Sequence, residues 1–171
     1  MRLWTLLLLS LFFPGPSFAL EQEEGQDAPT RTLSDYIKDY VDVPEDGIDW
    51  KMFGQTEAIS IETKDAEGLD VQYYRPKFSL DVIALDGKEI ILKGYMFPLD
   101  ATEEQSLFLF GPFPINCPFQ YHVGPSLVME IEADKPVKFD YEALTLKGTL
   151  ELVKEDPENG VFYRLVKARK I

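Results

Sequence analysis

One cysteine, Cys117, and one histidine, His122, are all that this chain of 171 residues provides of either type. A single thiol excludes an intrachain disulfide and an all-cysteine metal cluster, so packing must hold the fold. Thiol–disulfide exchange needs a second thiol to resolve the mixed disulfide, and Cys117-Pro118-Phe119-Gln120 lacks it. No helix can carry two histidines, and no Gly-rich phosphate loop or nucleophilic serine motif is present. Basic residues are also scarce, 17 against 30 acidic, which leaves a formal net charge of −13. Binding to a phosphate backbone depends on neutralising it with Lys and Arg, so this balance argues against nucleic acid and against anionic lipid surfaces. The acidity suits solubility, or else cationic partners and metal ions.

Long apolar runs are missing as well, apart from one at the start. Met1-Arg2 is basic, Leu3 to Phe13 is almost wholly apolar, and Ser17-Phe18-Ala19 is a small-x-small ending. This pattern predicts a signal peptide over residues 1–19, cleaved after Ala19. The run is shorter than the ~20 residues that span a bilayer, so no membrane span is expected after cleavage. The expected location is therefore periplasmic or secreted. Residues 20–30 read as a flexible acidic leader. Residues 31–171 read as one domain, and a hydrophobic fraction of 45% is enough for a real core.

Within that domain, Leu33, Tyr36, Ile37, Tyr40 and Val41 form one face of an amphipathic helix, with Thr32 as N-cap and Asp35 as a short-armed capping partner. Trp50 and Phe53 suit one helical turn plugging the core, stopped by Gly54. Residues 57–62 and 69–74 read as a short strand pair around the turn at 65–68, the second strand closed by Pro76. Before the Asp86-Gly87 turn, Phe78, Val82 and Leu85 fit a short helix and Phe78, Leu80 and Val82 fit a strand; the helix, capped by Gly87, is the favoured reading. Five strands follow, near 90–96, 106–110, 127–133, 144–154 and 161–168. The first alternates through Ile90, Leu92, Gly94 and Met96, the fourth through Leu144, Leu146, Gly148, Leu150 and Leu152. Glycine inside a strand marks a bulge or sharp bend, the device that curls a strand into a small barrel. The expected fold is mainly β: a five-stranded OB-like barrel with an N-terminal helical extension and a short strand pair. An open β-sandwich is the alternative.

The blocks "IDWKMFGQT", "ALDGKEIILKGYMFPLD", "NCPFQYHVGP", "ALTLKGTLELV" and "GVFYRL" resemble the exported bacterial proteins grouped as domain of unknown function 3299. The resemblance runs from Ile48 to the end. It implies an OB-like fold, export, and an association with metal-linked transport systems, and it brings no catalytic activity. Many members of that family have a second cysteine where this chain has Gln120.

Three functional readings follow. The first is a non-enzymatic exported binding protein that, through the loop from Gly111 to Pro125, docks a periplasmic protein or binds a metal ion in support of a membrane transport system. Its Phe110, Phe113, Phe119 and Tyr121 cluster with prolines in the manner of a docking surface, although small barrels also fill their ends with such rings. The second is a zinc or copper site made by Cys117, His122 and Met96, since thiolate, imidazole and thioether suit those ions. Its alternative is a buried cysteine and a satisfied loop histidine. The third is a cysteine-dependent enzyme, disfavoured because Cys117 and His122 are neighbours on a Pro-rich loop with no third residue to orient a base.

Overall fold

A computed structural model describes residues 31–119 and 123–171, so the expected signal peptide and acidic leader lie outside the described residues. The N-terminal helix is present but short. One α-turn, α1 (Leu33–Tyr36), tightens into a 3-10 turn, Ile37–Asp39. The carboxylate of Asp35 accepts from both the backbone N–H and the hydroxyl of Thr32, at 2.9 and 2.8 Å. These bonds hold its pKa below the ordinary value. Ile37 and Val41 are buried, as the apolar stripe predicts. Helix α2 (Trp50–Phe53) is the expected plug, started by the Asp49 carboxylate, which accepts from the Lys51 N–H, and ended at Gly54.

Strands β1 (Glu57–Lys64) and β2 (Asp70–Lys77) form a separate antiparallel ribbon, with Glu57 opposite Lys77 and Lys64 opposite Asp70. The expected stop at Pro76 is corrected, because β2 continues through it to Lys77. In a two-stranded ribbon alternate backbone N–H groups face away from the partner strand, so a proline there removes no ladder bond. Helix α3 (Leu80–Ile83) follows, as predicted, but Gly87 is not its cap. Ala84 ends the helix, and Gly87 takes a left-handed φ of 72° in the next turn, where its N–H donates to the Leu150 carbonyl at 2.8 Å.

The remaining strands are β3 (Glu89–Pro98), β4 (Glu104–Gly111), β5 (Met129–Lys138), β6 (Leu144–Leu152) and β7 (Tyr163–Lys170). They close into a barrel in the order β3-β4-β5-β7-β6, and β6 returns to β3. Every pairing is antiparallel except β5 with β7. This is the OB-like barrel expected from the strand pattern. Ile90, Leu92 and Met96 of β3, and Leu144, Leu146 and Leu150 of β6, point into one buried cluster.

The two strand glycines perform different tasks. At Gly94, β3 leaves β6, with Gly94 opposite Leu144, and from Tyr95 onward pairs with β4. A Cβ there would lie 2.6 Å from the Gly111 carbonyl oxygen, so this is close backbone crossing rather than a bulge. Gly148 does sit at a register shift against β7, where a Cβ would come within 2.9 Å of Leu165 and the Val166 carbonyl.

One rim is sealed by α2. The Trp50 indole N–H donates to the Lys93 carbonyl at 2.7 Å, and its ring lies 6.0 Å from that of Phe110. Phe53 meets Tyr163 edge-on at 4.9 Å, and the Tyr163 hydroxyl donates to the Phe53 carbonyl. Burial raises the Tyr163 pKa from 10.0 to about 12.

Gly94→Ala should destabilise the fold by about 2–4 kcal/mol, because the obstacle is backbone rather than a mobile side chain. Denaturant unfolding measures this, and a change below about 0.5 kcal/mol would contradict the crossing geometry. Tyr163 gives a pH signature. Below pH 10 its phenol is protonated in both folded and unfolded chains, and its contribution is complete. From there to about pH 12 the unfolded chain has released the proton and the folded chain has not, so stability falls as pH rises. The span corresponds to about 2–3 kcal/mol. Tyr163→Phe should cost about 1 kcal/mol near neutrality and show a shallower alkaline decline. An equally steep decline in the variant refutes the assignment.

Candidate binding surfaces

The loop after β4 turns back at once: the Cys117 N–H donates to the Pro114 carbonyl at 2.9 Å. This directs the thiol inward, and Cys117 is a free cysteine with 4% of its surface exposed. The phenol of Tyr40 is held above its ordinary pKa, first by hydrogen bonding with Cys117 and then by burial. The Tyr95 hydroxyl donates to the Tyr40 carbonyl at 3.0 Å. Rings complete the enclosure. Phe119 stacks on Tyr36 at 4.7 Å, Phe113 meets Tyr40 edge-on at 5.3 Å, and Phe113 and Phe119 are 5.8 Å apart. The Tyr36–Tyr40 face of the N-terminal turn is therefore covered by the chain's own loop.

This placement bears on every residue singled out above. Phe110 and Phe113 have no exposed surface, so the expectation that they form a docking face is corrected: they are core. Phe119 is half-buried against Tyr36. Met96 is 1% exposed and belongs to the same buried cluster as Cys117. His122 and Tyr121 lie outside the described residues, and so does Gln120. Among the described residues, no three His, Cys, Asp or Glu side chains converge as a metal site would require. What the loop does here is close the sealed rim.

Ile115 of this loop is 41% exposed, but among the described residues exposed apolar side chains gather most densely between Ile59 and Ile83. On one face of the β1–β2 ribbon Ile59 is 40% and Val71 38% exposed, and on the other Tyr74 is 46% exposed. Leu80 and Ile83 of the adjoining α3 are 84% and 49% exposed. The strand alternation in the sequence pointed to this ribbon but not to its exposure, because alternation reports a face and not what covers it. The ribbon is braced internally by Lys64–Asp70 and Lys77–Glu57 ion pairs. At its base Glu155, in the β6–β7 connection, accepts from both the Tyr73 hydroxyl and the Arg75 guanidinium. Those two bonds hold the Glu155 carboxyl below its ordinary pKa.

No family model and no curated protein matches the chain. Among solved structures it is similar to a DUF3299 family protein from Pseudomonas aeruginosa PAO1, at 22% identity and a TM-score of 0.40, over 56% of this chain and 67% of that one. That protein carries the name of the family that the sequence blocks resemble.

The enclosure of Cys117 is directly measurable. Its reaction with an exposed-thiol reagent should be at least about 100-fold slower in the native chain than in denaturant, since access requires local opening. Equal rates would show that the ring enclosure does not exist in solution.

Proposed function

We propose that this chain is a non-enzymatic, exported binding protein that docks a partner protein through the β1–β2 ribbon and α3. The partner is a periplasmic protein or a component of a membrane transport system. One observation carries the reading: an ordered two-stranded ribbon exposes apolar side chains on both faces and stands beside the barrel instead of packing into it. A two-stranded hairpin alone is marginal in water. Its outer edges offer backbone N–H and C=O groups, and strand addition to such an edge is a general mode of peptide recognition. Two ion pairs, Lys64–Asp70 and Lys77–Glu57, join the strands, and Ile59, Val71 and Tyr74 are the exposed apolar side chains that gain from burial. The 3-10 turn Pro125–Leu127, which follows the aromatic loop, braces this surface. The Ser126 hydroxyl donates to the Thr56 carbonyl at 2.7 Å, one residue before β1 begins.

Photo-crosslinking in cells that export the chain tests the proposal. A photoreactive residue at Ile59 or Tyr74 should yield a discrete adduct, and one at exposed Glu103, just before β4 at the opposite rim, should not. The adduct should be weakened by Leu80→Asp. Adducts of the same size from all three positions, or none from the ribbon, would falsify the docking surface.

A further inference from the structure

The rim opposite the α2 plug has a different construction. The ends of β5 and β7 and the start of β4 meet there, and both of the first two strands lose register. On the β4 side, Glu132 lies opposite Leu107 and Val137 opposite Gln105, so Ala133 to Pro136 are spanned by the single residue Ser106. On the β7 side, the parallel pairing steps from Ile131–Leu165 to Ala133–Ala168, one residue longer on β7. The extra residue brings Lys167 to a left-handed φ of 53°, a conformation that non-glycine residues seldom adopt. Beyond these two irregularities the strands separate. A groove of about 460 Å³ opens between them, lined by Asp134, Lys135, Pro136, Val137, Lys138, Arg169 and Lys170.

This lining reverses the charge of the molecule. The chain has a net charge of −13, yet the groove gathers four basic side chains against one carboxylate. Arg169 is partly engaged, reaching Glu89 at 3.2 Å, and Glu89 is shared with Lys147. Lys135, Lys138 and Lys170 form no ion pair among the described residues. Clustered like charges repel one another unless an anion lies between them. Lysines supply mobile point charges for anionic oxygens, and a guanidinium supplies a planar fork. Pro136 and Val137 give the groove an apolar wall, and its volume is that of a small-molecule site.

We infer that this groove binds a small organic polyanion, a compound carrying two or more clustered phosphate or carboxylate groups. The site is independent of the ribbon, which stands against the β6–β7 connection at the sealed rim.

Isothermal titration of the full chain at low salt, with tripolyphosphate in one arm and citrate in the other, tests this. Heat from one arm only assigns the ligand to the phosphate or the carboxylate class, and heat from both assigns the groove to polyanions of either kind. In each case Lys135→Ser with Lys138→Ser should weaken binding by about tenfold or more, while Lys88→Ser with Lys154→Ser, the same change in net charge elsewhere, should alter it less than about twofold. No heat from either probe overturns the inference. So does equal weakening in the two double variants, which would show attraction to overall charge rather than to a site.

Discussion

Closure of the barrel at Gly94 is the constraint on which the other features rest. Every strand of the closed barrel has two neighbours, and β3 meets its two in succession, pairing first with β6 and then with β4. The change of partner brings the Gly94 backbone against the Gly111 carbonyl, where a side chain has no room. If β3 could not cross there, Tyr95 to Pro98 would not reach β4, and the sheet would remain open with two unpaired edges. Closure also determines the interior. Leu92, Met96, Phe108, Phe110, Leu146 and Leu165 become a single dry cluster because five inward rows converge on one axis.

Closure then makes the two rims unequal. The rim beside Gly94 and Gly111 is where α2 lies and where the chain leaves β4 into the aromatic loop, and both segments turn inward to seal it. Tyr163 and the Trp50 indole N–H each find a backbone carbonyl there, which is why such large polar-tipped rings can be buried without an unmet donor. Among the described residues the other rim receives no such plug. Its strands separate instead, through the excursion of β5 and the bulge of β7, and its side chains are lysines and an arginine.

The barrel was legible in the sequence because its signals are local and periodic. The alternation through Leu144, Leu146, Gly148, Leu150 and Leu152 requires a one-sided strand, and a glycine in that row requires a bend. The helical turns at Leu33 and Trp50 were legible for the same reason. What stayed hidden depends on what lies opposite. Phe113 and Phe119 look alike in a string of letters whether they face a partner or their own Tyr36 and Tyr40, and here they face their own chain. Ile59 and Val71 have the pattern of a buried face and remain exposed, because among the described residues no third element is laid over the ribbon. The bulge at Lys167 carries no glycine to announce it. It shows only as a jump in the inward row from Leu165 to Ala168.

These hidden features share a physical origin, and it bears on where such a fold can recognise anything. In a closed barrel nearly every backbone donor and acceptor of the strands is already used in the ladder, and the interior is full. Neither is open to a ligand without unfolding. Among the described residues, free backbone groups are therefore found at places where the ladder ends or fails. The ribbon is one, since a two-stranded sheet keeps its outer edges by necessity. The groove is the other, since Ala133 to Pro136 lack partners on β4 and Pro136 has no N–H to offer one. The chemistry then divides between them: the edge presents backbone groups and apolar side chains suited to a polypeptide, and the groove presents concentrated positive charge suited to a small anion. Both proposed sites, the ribbon edge and the basic groove, thus lie at breaks in the regularity of the same barrel fold.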